Sequence, residues 1–248
     1  MRRAELDIYL EQYLDVARFR DYCPNGLQVE GTATVERIVT GVTASSDLLA
    51  AAIDAEAHAV IVHHGYFWRG EDLCIVGIRR RRIAMLLQND LNLYAFHLPL
   101  DAHPEVGNNV ALARVLGFTV DGRCGEQDLV FYGHAETDIT VAGLAERVAK
   151  RLEREPLVIG DASRNVKKIA WCTGAAQGYL DDAIRAGADA YITGEVSEQT
   201  VHLARESGVA FIAAGHHATE RYGVQALGAH LAQRFGIEHL HIDVPNPV

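Results

Sequence analysis

Two stretches of this chain repeat one another. RIVTGVTASSDLLAAAIDAEAHAVIVHHG begins at Arg37, and KIAWCTGAAQGYLDDAIRAGADAYITGEV begins at Lys168. Aligned without a gap, they share Ile38/Ile169, Ala44/Ala175, Leu49/Leu180, Ala52/Ala183, Ile53/Ile184 and Ile61/Ile192. Three alternate alanines, at 55, 57 and 59, match those at 186, 188 and 190. The order of units then continues. LYAFHLPLD (Leu93 to Asp101) aligns with IAAGHHATE (Ile212 to Glu220), and ALARVLGF (Ala111 to Phe118) with HLAQRFGI (His230 to Ile237). A repeat this long restricts the fold to two copies of one supersecondary unit.

Within each copy, short apolar runs alternate with amphipathic stretches. RIVTGVTA reads as a strand. SSDLLAAAIDAEA reads as a helix capped by Ser45, Ser46 or Asp47. HAVIVHH is the next strand, followed by a helix around RRRRIAMLLQND, a strand LNLYAFH and a helix around NNVALARVLGF. Alternation of this kind predicts an α/β fold with a largely parallel sheet and helices on its faces. The chain, 248 residues long, is expected to form two similar, intertwined α/β units. The first comprises 1–125 with 215–248, and the second 126–214.

The repeat also orders the polar residues. His64 aligns with Glu195, His97 with His216, and Asp101 with Glu220. Each copy thus has a metal-ligand residue type just after the same strand, and an H-x-x-x-D/E pair after the next. Open α/β sheets bind ligands beyond the carboxyl ends of their strands, where His63, His64, His97 and His216 are expected. His216 and Glu220, four apart, share one face of a helix. Imidazole and carboxylate ligands suit zinc, manganese or iron. Adjacent residues of a strand point to opposite faces, so His63 and His64 suit two ions, or one ion and a supporting partner. A carboxylate with two oxygens, Asp101 or Glu220, suits a bridge between paired ions.

Composition excludes several classes. Net charge is −10 with histidine neutral, which disfavours nucleic acid, since that affinity comes from Lys and Arg neutralising phosphates. The run Arg79 to Arg82 does not change this, because consecutive helical residues fan out by about 100° each. No apolar run approaches the roughly 20 residues of a membrane span. MRRAELDIYLEQYL has helical spacing of charge and apolar residues, unlike a signal peptide. The four cysteines, at 23, 74, 124 and 172, form no CxxC pair, and read as reduced thiols of a cytoplasmic protein. Among the 12 histidines, His202, His230, His239 and His241 lie on ordinary amphipathic stretches. His103, His134 and His217 are intermediate cases.

DYCPNGLQVEG, VTGVTAS, VIVHHGYFW, HLPLDAHPEVGNN, AWCTG, ITGEVSEQT and AAGHHATER together resemble the NIF-three-like family, also called type 2 GTP cyclohydrolase I. The resemblance covers nearly the whole chain and is nearest to the short bacterial members. It implies the NIF-three-like fold and a two-metal centre. The family's double histidine falls on His63 and His64, its H-x-x-x-D motif on His97 and Asp101, and its late G-H-x-x-x-E motif on His216 and Glu220. It implies a toroidal homohexamer, and contact with a small-molecule substrate by Asn25 or Gln28. Many members carry a histidine shortly after the G-D/E of the second repeat. Here GEVSEQT has Glu198 and Gln199 instead, which leaves that copy's contribution beyond Glu195 open.

The expected activity is hydrolysis of a small molecule with two divalent ions per chain, GTP ring opening being one candidate. His63, His64, Asp101, His216 and Glu220 would bind the metal, while His97 or Glu195 would move protons. Two alternatives use the same residues or the same assembly. One is a metal-binding or metal-delivery protein without turnover, and the other a ring-shaped DNA-associated protein.

Overall fold

The structure is a computed structural model that describes all residues, 1–248. It divides into two compact units, Met1–Gly107 with Gly223–Pro245 and Asn108–Tyr222 with Asn246–Val248. The expected boundaries therefore shift. Residues 108–125 belong to the second unit rather than the first, because Leu112, Ala113, Leu116 and Phe118 are buried in one core with Phe131 and Trp171. Residues 215–222 and the last three residues also lie in the second unit, and Ala218 is part of the same core.

The first unit opens with α1 (Arg3–Tyr13), β1 (Gly26–Val29), β2 (Arg37–Thr43), α2 (Ser46–Asp54), β3 (Ala59–His64), α3 (Gly77–Gln88), β4 (Asn92–Ala95) and α4 (Leu98–Ala102). The second contains α5 (Asn108–Leu116), β5 (Gly122–Cys124), β6 (Val130–Gly133), β7 (Ile139–Thr140), α6 (Val141–Leu152), β8 (Leu157–Ile159), β9 (Asn165–Val166) and β10 (Ile169–Trp171). It continues with α7 (Leu180–Arg185), β11 (Ala190–Thr193), α8 (Glu198–Ser207) and β12 (Ala210–Ala213). The long helix α9 (His216–Phe235) starts in the second unit and ends in the first, where β13 (Glu238–His241) completes the sheet.

The first sheet has the order β1-β4-β3-β2-β13, and the second β5-β6-β10-β11-β12-β8. Reversed, the second repeats the first: β12-β11-β10 matches β4-β3-β2, each parallel, with an antiparallel strand, β8 or β1, on the outside. The register is copied too. Ile38 faces Ala59 in one sheet, and the aligned Ile169 faces Ala190 in the other. The expectation of a largely parallel sheet fits the first unit. The second is mixed, because β6 runs antiparallel to β10 where β13 runs parallel to β2.

These strands are buried on both faces, as apolar parallel strands require. On β3, Ala59 and Ile61 pack with Leu6, Leu10, Val224 and Leu227. Val60 and Val62 pack on the other face with Leu48, Leu49, Ile83 and Leu86. Ser45 caps α2 by accepting the Leu48 N–H at 3.2 Å. In the second unit Trp171 is fully buried and donates its indole N–H to the Asn109 carbonyl at 3.0 Å. No helix is long and apolar enough to cross a membrane. All four cysteines are free thiols.

Candidate functional site

In the first unit the apolar run of β3 ends at His63, which is buried, and His64, which is partly exposed. Although adjacent residues leave a strand on opposite sides, the two rings lie 4.6 Å apart, centroid to centroid. The His97 ring, just beyond β4, is 5.0 Å from that of His63 and 5.9 Å from that of His64. A ligand-capable atom of each of these histidines lies within 4.8 Å of the others. Asp101, buried on α4, brings Oδ1 to 3.5 Å from His63 Nε2. Four residues expected as site residues from sequence thus meet within one unit.

The ring of His63 is held by the Phe96 carbonyl, 2.9 Å from Nδ1. A carbonyl only accepts, so Nδ1 carries a proton, and in the neutral ring the lone pair is on Nε2. Thr43 Oγ1 lies 3.2 Å from His64 Nδ1. Trp68 meets the His97 ring edge-to-face at 5.0 Å.

The loop before β1 supports this cluster. Asp21, which the sequence reading did not single out, places Oδ1 at 2.7 Å from His97 Nδ1. Burial pushes the Asp21 carboxyl up. The hydrogen bond and charge of His97, with the Asn25 amide and the Tyr22 N–H, outweigh that and hold it below the usual carboxylate range. Asp21, Cys23 and His97 also bring ligand-type atoms within 4.8 Å of one another. Burial and the nearby carboxylates of Asp21 and Asp101 push the Cys23 thiol up to about 12, so it stays protonated and is a poor metal ligand as it stands.

Asn25 and Gln28, expected at the substrate, are bonded inside the protein. Asn25 Oδ1 accepts the His97 N–H at 2.7 Å, and its Nδ2 donates to Asp21 at 2.8 Å. Gln28 accepts the Tyr66 N–H at 2.7 Å and donates to the Pro24 and Tyr66 carbonyls. DYCPNGLQVEG is therefore a structured segment beside the cluster, and its last part is strand β1 rather than loop.

The second unit assembles the counterpart. His216, first residue of α9, has Nδ1 at 2.7 Å from Glu195 Oε1 and Nε2 at 3.1 Å from Glu220 Oε2. Glu220 is buried, whereas the Glu195 side chain is 35% exposed. Burial pulls the His216 imidazolium down in pKa, but the hydrogen bonds and charges of Glu220 and Glu195 outweigh it and raise it to about 9. Glu195, expected as a proton carrier, is hydrogen-bonded to His216. Glu198 and Gln199 lie on α8, away from this pair in the chain, with exposed side chains.

Glycine makes room for the pair. Gly174 has φ +70°, and a Cβ there would sit 1.9 Å from Glu220 Oε1 and 3.3 Å from His216 Nε2. A Cβ on Gly194 would meet the backbone of His216 at 2.6 Å. CTG and TGE in the second copy are cradles for a carboxylate and an imidazole. Imidazole and carboxylate donors, converging in each unit at strand ends, are the donor chemistry of a borderline divalent cation.

Several of the remaining histidines serve other contacts. His230 stacks on Tyr13 at 4.2 Å, Thr40 lies between His239 and His241, and His103 accepts the backbone N–H groups of Glu105 and Val106. Arg79, in the basic run, bonds Glu71 and the Asp72 carbonyl.

Comparison with known proteins matches this architecture. The chain is 61% identical over 240 residues to the GTP cyclohydrolase 1 type 2 homolog of Pseudomonas aeruginosa, covering 96% of this chain and 95% of that protein. It is 52% identical over 248 residues to the protein of the same name from Escherichia coli K12, with both chains fully covered. Protein ybgI, a solved structure described as of unknown function, superposes with a TM-score of 0.97 at 52% identity over the whole of both chains. TTHA1606 from Thermus thermophilus does so with 0.89 at 38%, again over both chains. The sequence model of Duf34/NIF3 (NGG1p interacting factor 3) matches residues 1–247, and on that match and these relatives the chain belongs to the Duf34/NIF3 family.

Proposed function

We propose that this chain is a metal-dependent hydrolase of a small molecule. The observation that carries this reading is the convergence of His63, His64 and His97, with ligand-capable atoms all within 4.8 Å at the ends of adjacent parallel strands. His63, His64 and Asp101 would hold metal in the first unit, and His216 and Glu220 in the second, with about two zinc, manganese or iron ions per chain. A divalent cation supplies Lewis acidity, polarising a carbonyl or phosphoryl oxygen and acidifying water.

The chain's own residues handle the protons. His97 Nε2 takes the proton of the attacking water, and returns it to the leaving nitrogen or oxygen as the bond breaks. Glu195 keeps His216 in place and, as the more exposed group, exchanges protons with solvent. GTP is the first substrate to test, because relatives carry the name GTP cyclohydrolase 1 type 2 homolog. Ring opening there adds water across a C–N bond and cleaves it, within the reach of the same proton transfers.

The test is steady-state turnover over a panel of nucleotides and cyclic amides, with metal-stripped protein as the control. Turnover that vanishes on stripping and returns with metal supports the reading. Full metal content with no turnover across the panel favours a metal-binding or metal-delivery protein, which the same ligands would serve.

A further inference from the structure

We propose that Asp21 is a positioning residue that fixes His97 as the Nδ1–H tautomer, so that the neutral ring presents its lone pair at Nε2 to the histidine cluster. The inference deepens the hydrolase reading, in which His97 takes up a proton.

Asp21 receives donors on both oxygens. Oδ1 accepts the Tyr22 N–H at 2.6 Å and faces His97 Nδ1 at 2.7 Å. Oδ2 accepts the Leu98 N–H at 2.9 Å and the Asn25 amide at 2.8 Å. Three of these four partners can only donate. The carboxylate, 3% exposed in its side chain, is therefore ionised and an acceptor, and the fourth partner, His97 Nδ1, must carry its proton. The lone pair is left on Nε2. Asn25 fixes the same residue from the backbone, accepting the His97 N–H at 2.7 Å, while Trp68 stands edge-to-face on the ring.

The second unit contains the same device from another part of the chain. Glu195 faces His216 Nδ1 at 2.7 Å, and His216 is the residue that aligns with His97 in the repeat. In one copy the carboxylate comes from the loop before β1, in the other from the end of β11. Two copies that share no sequence at this point nevertheless brace the matched imidazole at the same nitrogen. An imidazole oriented in this way is a proton acceptor or a ligand at Nε2 and never a donor there when neutral. Partner carboxylates of this kind are worth roughly 10–100-fold in activity or metal affinity.

Neutron diffraction from deuterated crystals of the metal-free protein at pH 8 reads the tautomer directly. In the wild-type protein we expect deuterium on His97 Nδ1. In Asp21→Asn the amide nitrogen is expected on the Oδ1 side, where it opposes one obligate donor, the Tyr22 N–H, rather than two. It then donates to Nδ1, and the deuterium moves to Nε2. Deuterium on Nε2 with none on Nδ1 in the wild-type ring overturns the proposal, as does a variant in which Nδ1 keeps its deuterium. The wild-type crystal decides the matter even if the variant does not fold. Where turnover is found, Asp21→Asn should lower kcat about 10–100-fold with little change in KM, and Asp21→Glu should recover part of the loss. If no substrate is turned over, the hydrolase reading fails while the diffraction result still stands or falls alone.

Discussion

Single residues set the two candidate metal clusters, and two of them give direct tests. Gly174 is one, since its φ of +70° and the 1.9 Å approach of a Cβ to Glu220 Oε1 exclude any side chain. Gly174→Ala should cost about 1–3 kcal/mol of stability from backbone strain and displace Glu220. Calorimetry and elemental analysis of the variant should show a lowered Tm and lost metal together. The other is His216. Its pKa rises from 6.5 unfolded to about 9 folded in the metal-free protein. A raised value means that the charged form is stabilised by folding. That contribution is full below about pH 6.5 and is lost as pH rises through 9, with an upper bound on the order of 3 kcal/mol. Urea unfolding of stripped protein at pH 6 and pH 10 should show the loss, and His216→Gln should abolish that part of the pH dependence. Because a bound cation must displace this proton, metal affinity should rise over the same range. A wild-type pH dependence identical to that of His216→Gln would contradict the ion-pair account.

At the scale of elements, the strands that place the candidate ligands also carry the fold. Buried Asn92 at the start of β4 accepts the Gly31 N–H and donates to the Thr32 and His58 carbonyls, each within 2.9 Å. Asn92→Leu leaves the Gly31 N–H and the Thr32 carbonyl without that partner, while the His58 carbonyl keeps the backbone N–H of residue 92, and should destabilise the protein by about 3 kcal/mol, measured as a lower urea midpoint at an unchanged slope. The repeat made β2, β3, β4, β10, β11 and β12 legible in the sequence, because each is a short apolar run at a fixed place in a copied pattern. The same alignment placed His63, His64, His97, Asp101, His216 and Glu220 at strand or helix ends. β1, β5 and β8 were not legible. They are three or four residues long and antiparallel at or near the sheet edges, so a half-exposed pattern such as that of Leu157–Ile159 carries no signal of its own. Asp21 escaped for another reason. It lies 76 positions from His97, outside the repeat, and only the folded loop joins them. The bonds of Asn25 to His97 and Asp21 and of Gln28 to Tyr66 were not legible either, because a turn-forming amide looks the same in sequence whether it contacts a ligand or the backbone.

At the scale of the whole molecule, each unit has an apolar core of its own, built around Tyr94 and Phe96 in one and Trp171 and Phe131 in the other. Neither core includes a proposed metal ligand. Stripping metal with a chelator should therefore leave the far-UV circular dichroism unchanged and lower Tm only by the linkage of binding to folding. We further propose, from the family resemblance, that the chain assembles as a homohexamer. Sedimentation at micromolar concentration should give about six times the chain mass of 27.1 kDa, and a monomer would contradict it.

The central claim is that these histidines and carboxylates hold metal, and elemental analysis of protein purified in metal-replete medium and then dialysed tests it most directly. The account predicts about two zinc, manganese or iron ions per chain in the wild-type protein, and a loss of metal from Asp101→Ala and Glu220→Ala with the fold intact. One ion or fewer in the wild type, or undiminished metal in both variants, would contradict it.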